Sequence, residues 1–190
     1  MYKRQLINID PGKATNRTVI TFVGPPETIV DAAYSLISKA KELIDMRSHK
    51  GEHPRMGAVD VCPFIPISGV SMKETVDLAH QLGKRVGSEL LIPVYCYENA
   101  AKNNQRVNLA NCRSGEYEGL NNKLIDVKWK PDYGPNKFNE TVAKFGAVAI
   151  GARDFLVAYN INLNTTSTRR ANSVAFDLRE AGRVKRKGGT

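Results

Sequence analysis

Cysteine is scarce in this chain: Cys62, Cys96 and Cys112 are the only three among 190 residues. Their number is odd, they lie far apart, and no two form a C-x-x-C pair. That argues against a disulfide framework or a paired-thiol zinc site and fits reduced thiols, two of them set in apolar, strand-like runs. No apolar run approaches the ~20 residues needed to cross a bilayer. The opening residues, MYKRQLINID, lack the hydrophobic stretch of a signal peptide. Internal repeats and low-complexity tracts are absent as well. The expectation is a soluble, cytoplasmic protein with no membrane partner.

What is present is an ordinary core composition, 42% hydrophobic and 25% charged. That suffices for one domain, or for one and a piece of a second. The net charge of +9 invites a nucleic-acid reading, but the excess sits at the two ends. Lys3 and Arg4 open the chain, and Arg169, Arg170, Arg179, Arg183, Lys185, Arg186 and Lys187 outnumber Asp177 and Glu180 near its close. The body between is nearly balanced. A basic tail of this kind reads as a solvated segment, so no nucleic-acid partner is expected.

Along the chain, residues 1–5 read as a non-native leader. Residues 6–10 form a strand that opens into the turn Asp10-Pro11-Gly12. The β-branched run RTVITFV (17–23) is a second strand. Ile29, Ala33, Ile37, Ala40 and Ile44 draw the apolar stripe of a helix over 27–46. Residues 47–57 are a polar loop and 58–67 a strand. Ser71 and Glu74 form a capping box that starts a helix running to about residue 90. A short strand covers 93–97, a helix 105–117, and a long loop 119–140. Strands at 146–150 and 155–162 and a helix over 166–180 complete the order. Helices interrupting several short strands predict an α+β fold.

The loop contains His49-Lys50-Gly51-Glu52-His53. This is not H-E-x-x-H, because the glutamate adjoins the second histidine, and Gly51 and Pro54 disfavour the helix that such zinc binding needs. No metal is expected. His53 sits in a loop just before a core strand, a place where catalytic groups concentrate. His80 lies on a helix and reads as a plain exposed residue. Asp60 falls in a strand and reads as buried and hydrogen-bonded.

The block His53-Pro54-Arg55-Met56-Gly57-Ala58 followed by Asp60-Val61-Cys62-Pro63-Phe64 resembles the signature of the glutamate formiminotransferase N-terminal subdomain. The likeness extends to Thr15-Asn16-Arg17-Thr18, Phe22-Val23-Gly24-Pro25-Pro26, Arg113-Ser114-Gly115-Glu116-Tyr117, Gly151-Ala152-Arg153 and Asn160-Ile161-Asn162-Leu163. It covers residues 6–182. The resemblance implies a ferredoxin-like α/β sandwich, with a mixed or antiparallel sheet and helices packed mainly on one face. It implies residues 6–153 as the N-terminal subdomain, without the family's first strand and helix, and 154–190 as an incomplete start of the C-terminal subdomain.

The resemblance further implies transfer of a formimino group between N-formimino-L-glutamate and tetrahydrofolate in histidine degradation, with tetrahydrofolate as co-substrate and a homodimer as the assembly. The family's catalytic histidine falls on His53. Its folate-contacting segment falls on Gly134, Pro135, Asn136, Lys137, Phe138, Lys144, Phe145 and Gly146. A single imidazole suits the chemistry, since one proton must leave the folate nitrogen and one must reach the departing glutamate nitrogen. Asp10 orients His53 or binds the amidinium, or else only shapes its turn. Arg17 and Arg55 pair with substrate carboxylates or with carboxylates of the protein. A non-catalytic folate-binding or subunit-interaction fragment of the same family is the alternative.

Overall fold

A computed structural model describes residues 5–156 and 161–178. The chain divides into two compact units, Met1–Phe155 and Leu156–Thr190. In the first unit, β1 (Gln5–Gly12) and β2 (Arg17–Val23) pair as an antiparallel hairpin. A separate parallel sheet has the order β3-β5-β4, from Val61–Phe64, Val148–Ala152 and Val94–Glu98. This is the expected α+β sandwich, with antiparallel and parallel pairing both present.

Two long helices cover one face of the parallel sheet. α1 (Pro26–Leu43) starts with proline at its first position, where the missing N–H costs nothing. α2 (Met72–Glu89) carries the anticipated capping box: Glu74 N donates to Ser71 Oγ at 3.2 Å and Ser71 N to Glu74 Oε2 at 2.8 Å. Strand alternation sends Val94, Cys96, Val148 and Ile150 towards these helices, where Val30, Ile37, Leu82 and Val86 meet them. Tyr95, Tyr97, Ala147 and Ala149 point to the other face. There they meet α3 (Leu109–Arg113), α4 (Leu120–Ile125) and α5 (Glu140–Phe145) through Cys112, Leu120, Leu124 and Val142. Gly151 of β5 has no room for a side chain, because a Cβ would lie 2.6 Å from the Tyr97 ring.

Several elements depart from the sequence expectation. Asp10-Pro11-Gly12 stays inside β1, paired with Val19, Thr18 and Arg17, and the hairpin turns at residues 13–16 instead. Proline is tolerated there because β1 is an edge strand. The single helix expected over 105–117 is split into a 3-10 turn, Asn104–Arg106, and α3, because Asn108 caps a new helix by accepting from Ala110 N at 2.8 Å. The stretch 119–140 is not one loop. It holds α4 and a 3-10 turn, Val127–Trp129, because Leu120 and Leu124 bury one helical face against the sheet. The strand expected over 155–162 falls partly on residues outside those described, and its described ends are not in a strand.

All three cysteines are free. Burial pushes the Cys62 and Cys96 thiols up to about 12 and that of Cys112 up to about 11. They are poor nucleophiles. Among the described residues no helix is long and apolar enough to cross a membrane. In the second unit, α6 (Thr168–Leu178) begins after Ser167, whose Oγ accepts from Arg170 N at 3.4 Å, and it leaves Val174, Phe176 and Leu178 exposed.

Candidate functional site

The hairpin tip and the histidine loop form one clasp. Asn16 closes the tip with φ 47°, a left-handed conformation that asparagine tolerates better than most residues. Its Nδ2 donates to Lys50 O at 2.8 Å, and its carbonyl accepts from His49 Nε2 at 2.8 Å. Glu52 N donates to Ala14 O at 3.3 Å. Gly51 permits the approach, since a Cβ there would lie 2.3 Å from Thr15 O.

His53 is half-buried at the end of this loop. Its Nδ1 lies 2.7 Å from Pro54 O and 3.1 Å from Arg17 Nη1. A carbonyl only accepts and a guanidinium only donates, so Nδ1 serves one of them at a time. With the proton on Nδ1 and given to Pro54 O, Nε2 presents a lone pair. With Nδ1 accepting from Arg17, Nε2 carries the proton. Among the described residues Nε2 has no partner in either arrangement.

Arg55 is nearly buried and all five of its N–H donors have acceptors. Nε donates to His49 Nδ1 at 3.4 Å, and Nη2 donates to His49 O at 3.2 Å and Glu118 Oε1 at 2.7 Å. Nη1 donates to Glu118 Oε2 at 2.8 Å and Glu116 Oε2 at 3.3 Å. The sequence left Arg55 open between substrate and protein carboxylates, and this saturation favours the latter. The fork holds the Glu118 carboxyl below the usual range. His49 is held as the Nε2–H tautomer, donating to Asn16 O and accepting from Arg55.

A cavity of about 550 Å³ opens beside the loop, lined by Lys50, Gly51, Arg55, Gly115, Glu116 and Glu118. Gly51 and Arg55 lie two residues either side of His53. Asp10 shares a hairpin face with Arg17, two residue pairs along, and makes no described hydrogen bond to His53.

The structure divides the segment 134–146 into two parts. Gly134, at φ 83°, is wedged between α2 and β4, where a Cβ would lie 2.2 Å from Ile92 O, and Pro135 follows half-buried. Phe145 is fully buried in the core. Gly146 pairs with Gly57, Ala58 N donates to Phe145 O at 2.7 Å, and Ala147 N donates to Met56 O at 2.9 Å. The segment's end therefore lies against residues 56–58, which continue the His53 loop towards β3. Asn136, Lys137 and Phe138 are exposed. Lys144 lines a second cavity of about 550 Å³ with Lys41, Arg47, Glu140 and Thr141.

Asp60 is buried as expected, accepting from Met56 N at 3.0 Å and pairing with Arg113. His80, expected to be plain and exposed, is half-buried: its Nδ1 lies 3.2 Å from Tyr133 OH and 3.7 Å from Cys96 Sγ. Gly83 and Gly87 on α2 create the space for Tyr133. Nothing in the local sequence pattern marks Glu118, nor Lys123, whose buried ammonium donates to the carbonyls of Asn111, Cys112 and Ser114. Tyr117, which ties Arg55 O to Ala143 O, entered the reading only as part of a motif.

His53 itself lines neither cavity, but a half-buried imidazole with one free nitrogen, held against a hairpin on a loop whose other residues border a polar cavity, is a group that can move a proton. The chain carrying it belongs to the formiminotransferase family: residues 2–153 match the formiminotransferase domain, N-terminal subdomain. Residues 158–190 match the formiminotransferase domain itself. The chain is 53% identical over 180 residues to the formimidoyltransferase-cyclodeaminase of Rattus norvegicus, covering 95% of this chain and 32% of that protein. To the protein of the same name from Dictyostelium discoideum it is 50% identical over 178 residues, covering 94% and 32%. To the glutamate formimidoyltransferase of Thermoplasma acidophilum it is 49% identical over 175 residues, covering 91% and 56%. The chain thus spans about a third of the length of the first two relatives and a little over half of the third.

Proposed function

We propose that this chain carries formimidoyltransferase chemistry, moving the formimino group from N-formimino-L-glutamate to tetrahydrofolate with His53 as general acid and base, in histidine degradation and in the cytoplasm. Residues 6–153 are read as the N-terminal subdomain and 154–190 as part of the C-terminal one, a reading the two family matches support. The observation that carries the mechanism is the unpartnered Nε2 of His53 beside a ring nitrogen with two alternative partners.

In this reading the folate N5 attacks the amidine carbon. A new C–N bond forms, and His53 Nε2 takes the proton that N5 sheds. The imidazolium then returns that proton to the glutamate nitrogen as its bond to carbon breaks, giving 5-formiminotetrahydrofolate and free glutamate. The Pro54 arrangement leaves Nε2 ready to accept and then, as the imidazolium, to donate, while the Arg17 arrangement anchors the neutral ring between turnovers. Such acid–base help is typically worth ~10²–10⁴-fold, and placing the two substrates together adds to it. The exposed stretch Asn136, Lys137 and Phe138, with Lys144, is read as contacting the folate. Gly134, Pro135, Phe145 and Gly146 are read as shaping the segment that presents those contacts.

The test is glutamate release from N-formimino-L-glutamate in the presence of tetrahydrofolate, comparing the chain with His53→Ala. Turnover lost in the variant supports the proposal. Turnover indifferent to the variant removes His53 from the mechanism. Folate binding without any turnover favours a non-catalytic binding fragment, an outcome to which the chain's share of its relatives' length gives weight.

A further inference from the structure

His49 is half-buried, and every polar group it carries is in use. Its N–H donates to the carbonyl of the core residue Met46 at 3.2 Å, and its own carbonyl accepts from Arg55 Nη2 at 3.2 Å. In the ring, Nε2 donates to Asn16 O at 2.8 Å and Nδ1 accepts from Arg55 Nε at 3.4 Å. A carbonyl cannot donate and a guanidinium cannot accept, so both contacts demand the same neutral ring, with its proton on Nε2. His53 is the opposite case, because its two partners at Nδ1 demand different forms. Arg55 is itself fixed by the Glu118 fork, so the form of His49 is set from the body of the protein.

The acceptor of the Nε2 proton gives this arrangement its reach. Asn16 O belongs to the peptide that joins Asn16 to Arg17, and a peptide unit is planar. Holding that oxygen fixes the plane, and with it the direction in which the Arg17 side chain leaves the start of β2. Asn16 stands at φ 47°, a sparsely populated conformation for a residue with a side chain, so the plane gains from an external hold. The clasp's other two bonds, Asn16 Nδ2 to Lys50 O and Glu52 N to Ala14 O, do not act on that peptide. We infer that His49 is a positioning residue for His53: its Nε2–H holds the Asn16–Arg17 peptide so that the guanidinium reaches His53 Nδ1, 3.1 Å away. The inference deepens the transfer reading above and rests on it wherever a rate is concerned.

The experiment is nitrogen NMR of the imidazole rings in the full chain, paired with the glutamate-release assay. In the wild type His49 should show the Nε2–H pattern. His49→Phe fills the space of the ring and makes neither bond. The His53 signals should then move towards the Nδ1–H form, as in Arg17→Ala, and kcat should fall about tenfold with KM held. Glutamine sets an amide nitrogen near the place of Nε2, and asparagine an amide oxygen near that of Nδ1, so each keeps one bond. His49→Gln should restore the His53 signals and the rate, and His49→Asn should not. Added to Arg17→Ala, His49→Phe should change neither further, because the two act through one contact. A general packing defect would instead deepen the loss.

An Nδ1–H pattern at His49, His53 signals unmoved in a folded His49→Phe, or equal rescue by asparagine and glutamine overturns the inference. If His49→Phe does not fold, the wild-type His49 pattern and the glutamine–asparagine comparison decide. Should the His53 signals follow His49 while no His53-dependent turnover appears, the positioning role stands and the transfer reading falls. Should turnover depend on His53 while its signals ignore His49, the transfer reading stands alone.

Discussion

Arg17 reaches from the start of β2 to within 3.1 Å of His53 Nδ1, the same nitrogen that lies 2.7 Å from the carbonyl of Pro54. Two residues 36 positions apart are thereby tied at the one atom that decides which tautomer the imidazole adopts. Because Pro54 O only accepts and Arg17 only donates, each partner fixes a different protonation pattern at Nε2.

Removing one partner should therefore bias the ring. In Arg17→Ala the Pro54 arrangement is the one that remains, with the proton on Nδ1. The expected outcome is a shift of the His53 imidazole nitrogen NMR signals towards the Nδ1–H form. A kcat loss of about 10–100-fold should accompany it, with little change in KM, as expected when a reacting group is misplaced rather than substrate binding lost. An unchanged nitrogen spectrum would remove Arg17 from this role.

Glu118 gives a prediction about acid stability. The Arg55 fork lowers its folded-state pKa below the ordinary glutamate value of 4.5. A carboxyl depressed on folding adds stability that is fully present above the unfolded value and is lost as pH falls through the folded one. Glu118 is two-thirds exposed, so solvent screens the effect and it is modest. Melting temperatures of the wild type and Glu118→Gln should differ most above pH 4.5 and converge below it. Curves that stay parallel down to pH 3 would show that the fork contributes nothing.

What could be read from the chain beforehand depended on how local the cause was. The capping box of α2 and the β-branched run of β2 are decided by neighbours within four residues, and both formed where expected. α4 was hidden because of its apolar residues only Leu120 and Leu124 are buried, in a stretch otherwise rich in Asn and Lys, and its helix is settled by the sheet it packs on. The turn residues Asp10-Pro11-Gly12 signalled a reversal that pairing with β2 overrode. At the candidate site, Gly51 and Pro54 marked a loop around His53 plainly. The clasp that mounts it was invisible, since Asn16 and Arg17 lie 33 and 36 residues from their partners. Glu118 meets Arg55 across 63 residues, a pairing no spacing rule anticipates.

Gly134 and Lys137 test whether the segment proposed to meet folate divides into structural and ligand-contacting parts. Gly134 has φ 83°, and a Cβ there would stand 2.2 Å from Ile92 O. Gly134→Ala should cost more than about 2 kcal/mol of stability through strain and clash combined. Lys137 is exposed, so Lys137→Ala should leave the melting temperature unchanged while weakening tetrahydrofolate binding several-fold. Calorimetry and thermal melts on both variants check this. A stable Gly134→Ala that has lost folate would instead make Gly134 a direct contact.

Lys123 carries a pH signature of the same sign as that of Glu118, but in the alkaline range. Burial lowers its ammonium from 10.5 to about 8, while the carbonyls of Asn111, Cys112 and Ser114 and the Trp129 ring at 4.2 Å favour keeping the charge. Between those two values the unfolded chain holds a proton that the folded chain has shed, so this group's contribution to stability rises with pH. The full shift sets a ceiling of ~3 kcal/mol, at 1.36 kcal/mol per unit. Other groups titrate in the same range, so the informative quantity is the difference from Lys123→Met, which keeps the chain length and apolar packing but cannot ionise. Urea unfolding at pH 7.5 and pH 10.5 should show the wild type gaining on Lys123→Met by about 1–3 kcal/mol. A constant difference would mean that the three carbonyls hold the proton throughout, and that Lys123 is a fixed charged clamp on the end of α3.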